Sequence, residues 1–383
     1  MKKLTLLLIS SLPVMAGAII AAAVPHLAEV FVPYGGDARL LAKLMVTLPA
    51  LFVAFFAPLM GYLSDRYGRL PVLLSGLMLF VLAGTSGLYL VHPYALLTGR
   101  ALLGVGVAAI MTTSVALAGD LFDGAERQAF LGQQGSFMAL GGLVYLTLGG
   151  WLADFHWRLP FIIYFIALVF VLLAKLHFPK SGRPVAPQTD LAHEAAAIPW
   201  KPLSGLYSLS FLCMLAFYLI PIQAPFVLKE RFGADGLVIG LTIGFSTFFS
   251  AATGLAYGKL KARLSYQRIQ GLGLVVMALG YYLFQIAPSL PLAIAAMVPA
   301  GLGMGVTIPN INTWLVSFAP AAQRGRMLGG LTFFFFIGMF LSPVASSLLP
   351  SAQGVFSAAS LGLLLLGLLL LALSLRPAKL AVA

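Results

Sequence analysis

Twelve apolar runs of spanning length dominate the 383-residue chain, at roughly 5–27, 41–63, 70–91, 94–119, 129–152, 158–176, 203–226, 236–257, 269–288, 291–317, 326–349 and 355–375. A membrane-spanning helix needs about twenty predominantly apolar residues, and these runs supply them. The expected fold is therefore all-α with twelve transmembrane helices, which the linker and internal repeats described below divide into two pseudo-symmetric six-helix bundles. Composition agrees, since 61% of residues are hydrophobic and 9% charged, where a soluble domain carries about 25% charge.

The longest polar stretch, "FPKSGRPVAPQTDLAHEAAAIPWK", separates the sixth run from the seventh. It divides the chain into an N-terminal bundle (1–177), a linker (178–201) and a C-terminal bundle (202–383). The N-terminus, "MKKLTLLLISSLPVMAGAIIAAAV", has signal-peptide features, but its apolar stretch is long enough to span and reads as the first helix. An even number of spans puts both termini and the linker on one side. That side carries seventeen Lys and Arg residues, and the other only Arg39, Lys43, Arg158, Lys229 and Arg231. By the positive-inside rule the richer side is cytoplasmic, in a multi-pass protein of the inner (plasma) membrane. The net charge of +12 is spread singly and in pairs between apolar runs, which does not make a nucleic-acid surface. A single cysteine, Cys213, excludes an intrachain disulfide and a CxxC site, and no metal or other cofactor is expected.

The halves echo one another. "GVGVAA" at 104–109 precedes "RQAFLG" at 127–132, and "GMGVTI" at 303–308 precedes "RGRMLG" at 324–329. A weaker echo pairs "GYLSDRYGR" at 61–69 with "GKLKARLSY" at 258–266. Such repeats fit two halves related by an axis along the membrane normal. The loop "GYLSDRYGRLP", between the second and third runs, resembles the signature of the major facilitator superfamily. "RALLGVGVAA", from Arg100, resembles the helix-four motif of its drug/proton antiporter subgroup. The first resemblance implies two bundles rocking around a central site, with Gly61, Asp65, Arg66, Gly68 and Arg69 latching the outward-facing state. Asp65 is expected in the loop, and Leu260 near the corresponding place in the second half makes the latch one-sided. In "GGLVYLTLGGWLADFHWRLPF", Gly141, Gly142, Gly149, Gly150 and the Trp157–Arg158 pair resemble the antiporter motif of helix five. Tyr145–Leu146 replaces that motif's usual Gly-Pro.

The antiporter resemblance implies a proton-coupling arginine at Arg100, facing the cavity. An unpaired guanidinium at mid-helix costs roughly 2.5–3.5 kcal/mol on insertion scales. Arg100 lies about seven residues, or roughly 10 Å, from the outer end of its helix, so the alternative is snorkelling to that interface. Glu29 is the expected partner or proton carrier, with His26 beside it as a second titratable group. Solvated helix-end roles for both residues are the plainer alternatives.

Polar residues at mid-helix depth nominate a substrate site: Gln133, Gln134 and Tyr145 in the fifth run, Tyr218 and Gln223 in the seventh, Asn310 and Asn312 in the tenth. Pro309 is expected to open the tenth helix locally. Helix–helix hydrogen bonding is the competing role for each of these polar residues. The leading function is proton-coupled efflux of small organic molecules, drug-like or amphiphilic such as a siderophore. The partners are then the small-molecule substrate, protons and the lipid bilayer, with no nucleic acid, in a monomer. An uptake symporter for a sugar, organic acid or nucleoside is the alternative. A membrane-embedded enzyme is remote, because the chain has no HExxH, no GxSxG and no paired intramembrane acids.

The charge asymmetry makes a topological prediction. Single cysteines at positions 37 and 187, in a Cys213→Ala background, should react differently with an impermeant maleimide added to intact cells. Position 37 is expected to label and position 187 to stay silent until the cells are opened. Equal labelling of the two would refute this layout.

Overall fold

The computed structural model describes residues 1–178, 198–320, 323–349 and 351–375, and within them the chain is a succession of helices joined by short turns. Among the described residues, twelve helices are long and apolar enough to cross a membrane. In the first half these are α1 (Lys2–Ala21), α2 (Ala38–Tyr67), α3 (Arg69–Leu88), α4 (Pro93–Leu121), α5 (Ala129–Phe155) and α6 (Leu159–His177). The second half contributes α7 (Trp200–Phe232), α8 (Gly236–Lys261), α9 (Tyr266–Ile286), α10 (Leu290–Phe318), α11 (Arg324–Ser347) and α12 (Ala352–Ser374). Each lies over one of the expected runs. Of the linker expected at 178–201, only Phe178 and 198–201 fall within the described residues, and Trp200 and Lys201 already belong to α7. The membrane side that carries Lys2 is called here the terminal face, and the opposite side the distal face.

Prolines set where the spans break. Helical segments end at Ile9, Ala21, Phe217 and Gly305, each four residues before a proline: Pro13, Pro25, Pro221 and Pro309. A proline ring collides with the carbonyl four residues back and supplies no N–H to it, so the helix stops there and a new segment starts. After the second break a short helix, Val24–Phe31, prolongs α1 to the distal face and carries His26 and Glu29.

Carbonyls freed in this way find partners on neighbouring spans. Beside the break in α7, Ser342 of α11 donates to the Leu215 carbonyl at 2.7 Å and Tyr281 of α9 to the Ala216 carbonyl at 2.7 Å. Satisfied polar groups of this kind tie spans together where lipid offers no hydrophobic drive for association.

Within each half, close helix pairs meet at glycines. A Cβ at Gly104 would stand 2.7 Å from Phe52 Cβ on α2, and one at Gly106 3.0 Å from the Gly76 carbonyl oxygen on α3. In the second half Gly301 lies against Ser246 of α8, and Gly303 against Gly273 and Met277 of α9. The pairs Gly104/Gly301, Gly106/Gly303, Gly76/Gly273 and Arg127/Arg324 share a single offset along the chain. The internal repeat therefore matches "GVGVAA" at 104–109 to "GLGMGV" at 301–306, two residues from the register expected at 303–308. Overlapping G-x-G triplets in "GLGMG" make the two registers look alike in sequence, and only the contacts distinguish them. On the same offset Ala262, not Leu260, stands where Asp65 stands in the first half.

The halves meet through α5 with α8, α2 with α11 and with α7, and α7 with α1 and its distal extension. Along α8, Gly236, Gly240 and Gly244 recur every fourth residue; the first two seat the backbone of α5 at Gly150 and Leu146, and the third seats the Leu143 side chain. Contact between the two helices reaches as far as Gly142, where a Cβ would stand 3.5 Å from the Thr247 side-chain methyl. Beyond it α5 continues toward the terminal face, where Gly132 and Gly135 have no neighbouring atoms within 4 Å of a built Cβ. The halves are thus joined in their distal part and separate toward the terminal face.

Candidate functional site

Between the halves lies a cavity of about 460 Å³, within the range that holds a drug-sized ligand. Eight spans line it: α1, α2, α4 and α5 from the first half, α7, α8, α10 and α11 from the second. Met111, Met138, Met214, Met304 and Met339 surround it, together with Phe217, Phe335 and Phe336. No Asp, Glu, Lys, Arg or His is among the lining residues. Thioether chains are unbranched and polarisable, so such a wall adapts to ligands of different shape.

Of the seven residues expected to bind substrate, Tyr218 and Asn312 line this cavity. Tyr218 stands at the break in α7, where the segment turns its side chain toward α1. Asn310 does not line it, because two residues advance a helix by about 200°. It turns back into the C-terminal bundle, donating to the Tyr266 carbonyl and to Gln270 Oε1, each at 3.0 Å. Tyr145 bonds Ser11 at 3.0 Å and so ties α5 to α1. Gln223 is buried above the cavity with no hydrogen-bond partner on Oε1. Gln133 is exposed and Gln134 half-buried, both well toward the terminal face. The break in α10 falls at Val306, four residues after which Asn310 begins the buried polar cluster.

Arg100 lies elsewhere than expected. It is fully buried, it does not line the cavity, and it does not snorkel. Its Nε donates to the Met45 carbonyl at 2.7 Å, one terminal nitrogen donates to Tyr164 Oη at 2.8 Å, and the other to the Ala16 carbonyl. Met45 is four residues before Pro49, so its carbonyl has no helical N–H to accept from, and the guanidinium fills that vacancy. One planar fork thereby fastens α4 to α1, α2 and α6. In the second half Met297 stands at the matching position, and the Tyr281–Ala216 bond ties α9 to α7 there.

The expected pairing of Arg100 with Glu29 is therefore incorrect. Glu29 is at the distal face, where Lys229 of the other half reaches it at 2.8 Å. The residue stands on the segment that follows the Pro25 break, beyond the depth of Arg100, which a continuous apolar run does not reveal. His26 is on the same segment, with Nδ1 lacking a hydrogen-bond partner and with Glu29, Asp154 and Lys229 in electrostatic range.

Other polar contacts between the halves cluster at this distal face. Arg39 pairs with Glu230 at 2.6 Å. Asp154, at the distal end of α5, accepts from the backbone N–H of Gly236 at 2.6 Å and of Leu237 at 3.0 Å. A carboxylate on the first N–H groups of α8 neutralises donors that have no intrahelical acceptor and complements the helix dipole. Lys43, counted in the sequence as a distal surface charge, is buried between α2, α7 and α11, with Nζ 3.5 Å from Ser346 Oγ and 5.5 Å from the Phe226 ring centre.

The loop motif holds a cluster within the first half. Arg69 bonds Asp65, Asp120 Oδ2 at 3.2 Å and Ser64 Oγ at 3.1 Å, and Arg66 bonds Tyr62 at 2.9 Å. Asp65 belongs to the last turn of α2, not to a loop. The turn itself is Gly68, whose φ of 94° only glycine adopts readily. Gly61 has open space beside it.

A sequence model of the Major Facilitator Superfamily matches residues 6–208 and again residues 206–382. The chain belongs to the Major Facilitator Superfamily. It is a multi-pass membrane transporter of small molecules. Within this superfamily it is similar to the bacillibactin exporter of Bacillus subtilis (strain 168), 25% identical over 334 residues that cover 82% of each chain. The multi-drug resistance efflux pump PmrA of Streptococcus pneumoniae is 27% identical over 341 residues, 84% of this chain and 82% of that one. The class G tetracycline resistance protein of Vibrio anguillarum is 27% identical over 369 residues, 90% and 89% of the two chains. Among solved structures, the inward open conformation of the xylose transporter XylE from E. coli superposes with a TM-score of 0.77 at 16% identity, covering 99% of this chain and 97% of that one. That last likeness speaks to fold alone.

Arg100→Lys keeps the charge but cannot reach acceptors on three helices. It is expected to lower the thermal unfolding temperature in detergent and to cut transport, and Arg100→Ala to do so more severely. Leaving the Met45 carbonyl buried and unpaired costs about 1–3 kcal/mol. Unchanged thermal stability in both variants would contradict the clamp.

Proposed function

We propose that this transporter exports amphiphilic organic molecules across the plasma membrane, as a monomer with cytoplasmic termini, driven by the inward flow of protons. The observation that carries this reading is the uncharged, methionine- and phenylalanine-rich cavity between the halves. With the terminal face in the cytoplasm, the joined distal part makes this the cytoplasm-facing loading state. The relatives named as an exporter, an efflux pump and resistance proteins support the direction. A sugar presents hydroxyls around its whole ring, and a wall this poor in polar groups would leave most of them unpaired after desolvation. That argues against the sugar-uptake alternative.

In this reading protons act at the distal closure. Glu29 and Glu230 each hold a cation of the other half or are held by one, and Asp154 holds the start of α8. His26 stands among the same groups, and burial together with Lys229 holds its pKa below the ordinary histidine value, so its protonation by acid outside favours opening of the distal gate. Arg100 serves by keeping α1, α2, α4 and α6 a rigid unit during the movement. Gly61, Asp65, Arg66, Gly68 and Arg69 latch the terminal face in the opposite, outward-facing state, for which Gly61 keeps its open side free.

Everted membrane vesicles, whose lumen corresponds to the cell exterior, test the proposal. With the lumen made acid, they are expected to accumulate an uncharged amphiphilic dye such as Nile red and to release protons as they do so, while D-xylose stays outside. Dissipating the pH gradient is expected to abolish accumulation. Accumulation independent of the gradient, or gradient-driven movement of D-xylose, would overturn the reading.

A further inference from the structure

The two walls of the cavity differ in kind. The first half contributes only apolar groups, among them Pro13, Val14, Val46, Val107, Met111 and Met138. Every hydroxyl and amide on the lining belongs to the second half, on α7, α8, α10 and α11. Four of these seven residues, Ser246, Thr247, Thr307 and Thr332, donate to carbonyls of their own helices. Ser210, Tyr218 and Asn312 have no hydrogen-bond partner among the described residues, and they face the cavity. Ser210 is only 3% exposed, so a hydroxyl left unpaired there has little water to satisfy it. Along α7, Ser210 and Tyr218 are separated by two helical turns, on the order of 12 Å. Asn312 stands on the adjacent α10 and offers both an N–H₂ donor and a carbonyl acceptor.

Resting on the export reading for its place in the transport cycle, we infer that the cargo is a neutral, facially amphipathic molecule. Its apolar face lies on the first half, and hydroxyl or carbonyl groups along one edge pair with Ser210, Tyr218 and Asn312. An ionised group in this cavity would meet no counter-charge, which disfavours anions and cations alike. A site built to hydrogen-bond one edge rejects analogues that lack the partners far more strongly than a greasy pocket rejects a changed methylene. The unpaired groups on the second half are thus the specificity determinants, and the first half supplies area without selecting.

Steroids sharing one ring system separate these terms. Hydrocortisone carries hydroxyls and carbonyls, progesterone carries carbonyls alone, and cholate adds an ionised carboxylate. Their equilibrium binding to the purified full-length protein in nanodiscs is expected to rank hydrocortisone tightest and cholate weakest. Asn312→Leu is expected to weaken hydrocortisone at least tenfold and progesterone by less than threefold. Tyr218→Phe should repeat the pattern with a smaller loss, and the thermal stability of both variants verifies that they fold. Failure of hydrocortisone to bind saturably, cholate binding as tightly as hydrocortisone, or equal losses for both neutral steroids in the two variants would each overturn the inference. Because binding needs no gradient, it separates the two claims. The expected ranking without vesicle accumulation removes the export reading and leaves the cargo assignment, and accumulation with the wrong ranking does the reverse.

Discussion

Helices in a bilayer gain nothing by hiding apolar surface from lipid, so their association depends on how closely their backbones approach. The seam between α5 and α8 is where this constraint governs the molecule. Gly236, Gly240 and Gly244 present a bare strip of α8 to Gly150, Leu146 and Leu143 of α5, and Asp154 fastens the end of the strip. Dispersion contacts of this kind are individually tiny and vanish with a separation of an ångström or two. A seam held by them is stable when shut and offers little resistance once it begins to part, which suits a gate. Where the glycine row stops, the helices diverge and the cavity begins.

Rocking halves also require that each half move as a body. Prolines in α1, α2, α7 and α10 shape the cavity but release carbonyls that hydrocarbon cannot satisfy. The first half answers with Arg100, which takes the carbonyl freed by Pro49 and reaches α1 and α6 besides. The second half uses neutral groups, Tyr281 and Ser342, on the carbonyls beside the α7 break. A charged side chain in one half and hydroxyls in the other thus solve the same backbone problem. The cost of burying the guanidinium is offset by acceptors on three spans, without a carboxylate.

Much of this was legible in the sequence. Run lengths gave the spans, and the loop motif placed Asp65 and Arg69 together, because both signals are local. For Glu29 the sequence left two roles open, partner of Arg100 or solvated helix end, and the structure shows the second, with the Pro25 break carrying it beyond the depth of Arg100. The side on which Asn310 and Asn312 point was not legible, as two residues turn a helix by more than half a revolution. The lining methionines and phenylalanines looked like any lipid-facing residue, and the glycine row of α8 was visible but carried no sign of its partner. Lys43 read as a surface charge because burial between halves depends on contacts made some 300 residues apart in the chain.

The central claim is that the glycine seam between α5 and α8 holds the distal face closed. Spin-label distances measured across each face of the protein in nanodiscs test it directly, using Tyr34 with Leu348 for the distal face and Tyr67 with Arg263 for the terminal face. The unmodified seam is expected to give a short, narrow distal distance and a long terminal one. Gly240→Leu, which forces a side chain into the α5 backbone, is expected to lengthen the first and shorten the second. If both distances were unchanged by that wedge, the seam would not be the gate.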